Sequence, residues 1–156
     1  MLANPMNEPE KLIEGSERLT SVYGYWPSFH DAEVIDFNLW RGDVDPEQER
    51  YIFPVITTKI HLWELTSEVN ALGGLVTRHQ TLATLRFHDV DEFHMDGFNH
   101  QNAICGLGIT TEERDAGLSP FFRVVFEPAF GITSTFRCTR IEVLHAEPFP
   151  QSNRNV

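Results

Sequence analysis

An α+β fold, with one N-terminal helix packed on a curved, mostly antiparallel sheet of about seven strands, is the architecture this chain predicts. Three observations predict it. Helical spacing of apolar residues occurs once, in residues 8–22. From Ala32 onward apolar and polar residues alternate. The alternating runs are separated by clusters of Gly, Pro, Asn and acidic residues. A helix followed by strands, rather than interleaved with them, is the α+β pattern.

Residues 8–22, EPEKLIEGSERLTSV, place Leu12, Ile13, Leu19 and Val22 along one face, with acidic residues early, where the helix dipole favours them. Gly15 costs such a helix about 1 kcal/mol relative to alanine, and Gly24 and Pro27 end it. In AEVIDFNLW, Ile35, Phe37 and Leu39 alternate with Asp36 and Asn38, predicting a strand wet on one face. RGDVDPEQER, residues 41–50, reads as a polar turn. YIFPVITTKIHLWEL, residues 51–65, reads as a long return strand with Ile56, Thr58, Ile60 and Leu62 on one side; Pro54 puts its start at an edge or a bulge. Together these predict a long antiparallel hairpin.

SEVNALGGLVTRHQ reads as a flexible connection, TLATLRFHDV as a strand presenting Ala83, Leu85 and Phe87, and EFHMDGF and QNAICGLGIT as two more strands. The loop TEERDAGLSP precedes FFRVVFEP and ITSTFRCTRIEVLHAE, which are joined by a tight turn at Gly131. In the last run the apolar phase slips between Phe136 and Cys138 on one side and Ile141 and Val143 on the other, predicting a bulge or a move between two faces. The chain is read as a single domain, 1–156, with frayed ends at 1–7 and 149–156.

Twelve basic against 23 acidic side chains give a formal charge of -11, which argues against nucleic-acid binding and suits attraction to a basic partner. The two cysteines, Cys105 and Cys138, fall in strand-like runs, and a disulfide framework is not expected. The N-terminal MLANPMNEPEKL shows no basic region followed by an apolar core, and no window is apolar enough to span a membrane, so the expected location is cytoplasmic.

Seven histidines invite a metal reading, yet His88, His94 and His100 fall across a turn and a loop, and neither HExxH nor CxxC occurs. The densest set is His30, Asp31 and Glu33, in YGYWPSFHDAEV. On a regular strand Asp31 and Glu33 would share the face opposite His30. A metal or small-ligand site built from all three, with or without His88, therefore needs an irregular chain there. No nucleophile elbow or phosphate loop is present, and no cofactor is expected. For a binding surface the candidates are Trp40, at the end of the first strand, Asp43, Asp45, Glu47 and Glu49 in the adjacent turn, and Trp63, which with Tyr51 would mark an interaction face. Further acids cluster at Asp89, Asp91 and Glu92 and at Glu112, Glu113 and Asp115. A structural account of the first motif lets Trp26 and Phe29 pack between helix and sheet while His30 and Asp31 bond to backbone; Asn99 and Asn102 would satisfy a wide turn after Gly97.

Two separated motifs, WPSFHDAEV (26–34) and LRFHDVDEFHMDGFNHQN (85–102), resemble those of the predicted immunity protein 50 family of bacterial toxin systems. The resemblance follows the order of elements over the middle two-thirds of the chain. It implies an α+β protein that binds and occludes a cognate toxin without catalysis of its own. The partner would then be a protein, a basic toxin domain in particular, with neither nucleic acid nor membrane involved. The alternatives are a metal-dependent enzyme or ligand-binding domain using His30, Asp31 and Glu33, and a structural module in which a second copy of the chain covers the sheet.

Overall fold

A computed structural model describes residues 8–42, 44–45, 47, 50–51 and 53–150. Two four-stranded antiparallel sheets face each other across one apolar core. The first has the order β1 (Glu33–Trp40), β4 (Val55–Val69), β5 (Leu75–His88), β10 (Arg140–Pro148). The second has the order β6 (Asp91–Asp96), β9 (Thr133–Cys138), β8 (Phe121–Pro128), β7 (Ile104–Glu112). A two-stranded ribbon, β2 (Val44–Asp45) with β3 (Arg50–Tyr51), stands where a polar turn was expected. The expectation of one curved sheet of about seven strands is thus corrected to two sheets and a ribbon among the described residues.

Period-two alternation explains the interior. Ile56, Thr58, Ile60 and Leu62 of β4 and Ala83, Leu85 and Phe87 of β5 are all buried, as their spacing predicts. They meet Val124 and Phe126 of β8 and Phe136 and Cys138 of β9. Phenylalanine rings join the layers: Phe87 of the first sheet stands edge-on to Phe126 and Phe136 of the second, at 6.4 and 5.0 Å, and Phe37 to Phe126 at 5.8 Å. Each fully buried ring contributes roughly 1.5–3 kcal/mol by leaving water.

The phase slip in the last run has a plain origin. Thr139 separates β9 from β10, and the chain changes sheets there. Phe136 and Cys138 face the core from one layer, Ile141 and Val143 from the other. Alternation misleads in β1, where a bulge at Ile35 lets both Val34 and Phe37 turn inward and leaves Ile35 and Leu39 exposed.

The segment expected to be a flexible connection is instead strand. β4 runs on to Val69 and β5 begins at Leu75, making a hairpin arm whose tip residue Leu72 is 96% exposed. A bulge marks the arm's base, where His79 and Gln80 oppose Trp63 alone and His79 takes the left-handed backbone (φ 56°). β4 is an interior strand, so Pro54 does not mark an edge; it precedes the strand, and its carbonyl accepts the Val90 N–H.

The predicted helix over 8–22 is broken in two: a 3-10 turn (Pro9–Leu12) and α1 (Glu17–Tyr23). Between them Glu14 pairs with the edge of β10, donating to Ile141 O and accepting from Val143 N. Gly15 permits this, because its φ is +71° and a Cβ there would come within 2.5 Å of Val143 O. α1 then lies against β5 and β10, with Leu19 and Tyr23 buried and Leu12 left exposed.

Candidate functional site

The two sequence motifs interlock. Residues 28–34 run along the start of β7 as an irregular seam that joins the two sheets. Ile104 N–H donates to Ala32 O, Asp31 N–H to Ile104 O, Val34 N–H to Asn102 O and Leu107 N–H to Ser28 O. Phe29 and Asp31 hold left-handed backbone (φ 61° and 62°), so the chain is irregular here, as a site using His30, Asp31 and Glu33 together requires. Irregularity does not bring the three together. His30 Nδ1 lies 2.9 Å from Cys105 O, and Asp31 stands 3.6 Å from His30 Nε2. The Glu33 carboxylate is turned to the Asn102 N–H at 2.7 Å. His88 pairs with Glu142 on another face. Among the described residues, no three His, Cys, Asp or Glu side chains are placed to hold a metal ion.

Asn102 is the hub of the second motif. Its side-chain oxygen accepts the Asn99 N–H, and its amide donates to Asn99 O at 2.7 Å and Val34 O at 3.4 Å. Asn99 in turn accepts the Gln101 N–H. The turn at 129–131 docks on this loop: Ala129 and Phe130 donate to Ala103 O. A Cβ on Gly131 (φ +78°) would lie 2.2 Å from Gln101 O. Trp26, half-buried, packs on buried Phe29 with ring centroids 5.7 Å apart.

The expected binding residues fall far apart: Trp40 at the end of β1 and Trp63 in the middle of β4. Exposed Trp40 pairs with Val55 at the start of β4. Trp63 is eight residues further along that strand, about 26 Å at the usual rise. They do not form one patch. Asp43 and Glu49 lie outside the described residues, as do the side chains of Asp45 and Tyr51; Glu47 is exposed. From the other two acidic clusters Asp91, Glu92 and Glu112 come together on the outer face of the second sheet, around arginines, while Asp89 accepts from Thr139. Arg137 makes a bidentate pair with Asp91, while Arg123 bridges Glu92 and Glu112. The Arg137 hydrogen bonds hold the Asp91 carboxyl below the usual aspartate range. Phe121 carries the guanidinium groups of Arg114 and Arg137 over its ring, at 4.3 and 4.0 Å.

Beside the seam a cleft of about 230 Å³ opens between the end of α1, residues 25–31 and β4. Tyr25, His30 and Asp31 line one side, Trp63, Glu64 and Leu65 the other. The Tyr25 hydroxyl donates to Glu64 at 2.9 Å, and His79 Nε2 is 3.7 Å from the same carboxylate. Behind it, the buried Tyr23 hydroxyl donates to His79 O at 2.7 Å and lies 3.0 Å from the Thr81 hydroxyl, tying helix to arm. Burial pushes the Tyr23 phenol above its ordinary range. Tyr25 and Glu64 escape a reading of sequence because 39 residues separate them; only the aromatic density of YGYWPSFHDAEV hints at the cleft.

Both cysteines are free. Cys105 is exposed, whereas burial pushes the Cys138 thiol up to about 12.

Fold and site define a small acidic protein of two facing antiparallel sheets, whose motif residues serve mainly as a seam and whose described surface includes a cleft lined by Tyr25, Asp31 and Glu64. The chain belongs to the immunity protein 50 family, whose model matches residues 15–149. No curated protein and no solved structure matches it. No helix among the described residues is long and apolar enough to cross a membrane.

Proposed function

We propose that this protein is a non-catalytic immunity protein that binds a basic toxin domain and occludes it. Family membership carries the reading. The charge of -11 supports a basic partner, because an acidic inhibitor draws a cationic surface in through long-range attraction. The turn bearing Asp43, Asp45, Glu47 and Glu49, flanked by exposed Trp40, is the steering surface in this account. On the second sheet Asp91, Glu92 and Glu112 pair with arginines. The expected location is cytoplasmic.

The test begins with capture of the partner on immobilised protein from the source cell, elution by a salt step, and association kinetics against the identified partner. Reversing the four acids to lysine together is expected to slow association at least tenfold at low salt, with the difference shrinking at high salt. An unchanged rate at low salt removes the turn from the steering surface.

A further inference from the structure

An open sheet edge is a template for pairing with another chain, and this molecule guards most of its edges. Glu14 pairs along the free side of β10, residues 28–34 cover the start of β7, and β6 carries Asp91, Glu92 and Asp96. β1 is covered at its start by Asn102 and Ala103 and runs on into the acidic turn. The hairpin arm is different. β1 pairs with β4 from Val55 to His61, and β10 with β5 from Thr81 to His88. Beyond Leu65 and Thr77, therefore, neither arm strand has a neighbour on its outer side among the described residues. The arm is also apolar where the body is acidic. Leu65, Val69, Leu72 and Leu75 are all exposed, and Glu68 is the one charged side chain between residues 65 and 77, with Arg78 at 3.9 Å. Its tip is held in shape by Asn70 Oδ1, which accepts the Leu72 and Gly74 N–H groups, both at 3.0 Å.

We propose that the arm joins two copies of this chain through antiparallel pairing of β5 with β5. Charge argues for a second copy. Two bodies of formal charge -11 repel where acidic surfaces meet, and the arm is a nearly neutral stretch through which they can approach. It projects about 15 Å past Leu65 and Thr77, and antiparallel pairing leaves the bodies at opposite ends of the joined arms. That separation exceeds the roughly 8 Å over which charges act at physiological salt. β5 is the regular edge, with β-branched Val76 and Thr77, whereas in β4 the Glu68 N–H turns to Thr66 Oγ1. Register then makes the contact self-complementary. Within each hairpin Val69 stands opposite Leu75 and Leu65 opposite Thr77. A pair centred on Val76 sets Leu75 of one copy opposite Thr77 of the other, so each row across the four strands reads Val69, Leu75, Thr77, Leu65. Arg78 falls opposite Gly74, and no like charges meet. Such a contact is the same patch on both copies and closes at two. The two ends of β4, one beside the acidic turn and one beside the tip, lie roughly 46 Å apart, so pairing leaves both turns free.

Sedimentation velocity on the full chain, from micromolar to near-millimolar concentration, tests the pairing. A monomer that converts to a dimer is expected, and added salt is expected to favour the dimer by screening the like-charged bodies. A basic partner responds to salt in the opposite sense, which separates the two contacts. Leu75→Lys, which sets a charge in the shared row, and replacement of 66–76 by Asn-Gly are each expected to raise the dimer dissociation constant at least tenfold. Both are checked to keep the wild-type melting temperature within a few degrees. Leu39→Lys, on the edge of β1, is expected to leave the dimer unchanged. A chain that stays monomeric at every concentration overturns the proposal. So does a dimer that survives both arm changes, one that Leu39→Lys abolishes, or a species that grows beyond two copies. The immunity reading is tested apart from this: a chain that pairs through its arm and captures no basic partner keeps the proposal and refutes that reading.

Discussion

Buried Asn102 makes three hydrogen bonds through its side chain, two of them as a donor. Asn102→Asp keeps the shape but removes the donor, leaving Asn99 O and Val34 O facing a carboxylate. It is expected to cost about 2–3 kcal/mol in urea unfolding; a loss under 0.5 kcal/mol would mean the seam is not held there. Cys138 gives a second prediction. Its folded pKa, about 12, lies above the ordinary thiol value, so the unfolded chain loses this proton first as pH rises. The stability Cys138 supplies is complete below the ordinary value and is lost as pH climbs toward 12. Cys138→Ala is therefore expected to lose less stability than wild type between pH 8 and pH 11. A thiol reagent is expected to modify Cys105 in the folded chain and Cys138 only after unfolding. Residue roles were partly legible: Asn99 and Asn102 satisfying a turn, and the inward packing of Trp26 and Phe29, follow from residue type and spacing. The carbonyl partner of His30 was not, because it lies 75 residues away.

At the scale of elements, the strands and their inward faces were legible where alternation was regular, as in the first half of β4 and in β5. They were not where bulges shift the phase, as at Ile35 and at His79, since one extra residue reverses every later assignment. The helix was overextended because Gly15 reads as a mild cost inside a helix, whereas its positive φ serves an edge pairing with β10 that no local pattern announces. Two outcomes belong here. The arm beyond Leu65 and Thr77 buries no side chain, so replacing 66–76 with a two-residue Asn-Gly hairpin turn is expected to change stability by less than about 1 kcal/mol. A large loss would show that the arm packs on the body. On the outer face of the second sheet, Arg137 lowers the Asp91 pKa, so that pair stabilises above the ordinary aspartate range and fades as pH falls through the depressed value. Asp91→Asn is expected to be less stable than wild type at neutral pH, with the gap closing in acid. A gap that stays constant with pH would remove the ion pair as its cause.

For the whole molecule, the antiparallel strands were in the sequence but their division between two sheets was not, because pairing β10 with β5 rather than with β9 is a long-range choice. Charge was the most transferable global signal, and its distribution corrects it. On the second sheet Asp91, Glu92 and Glu112 are balanced locally by Arg137 and Arg123. The claim that unites these levels is that the protein neutralises a toxin by covering it. The most direct measurement is growth of cells expressing the captured basic partner, with and without this chain. The account predicts arrest by the partner alone and recovery on co-expression. A partner that is harmless alone, or one that still arrests growth while held in a complex, would contradict it.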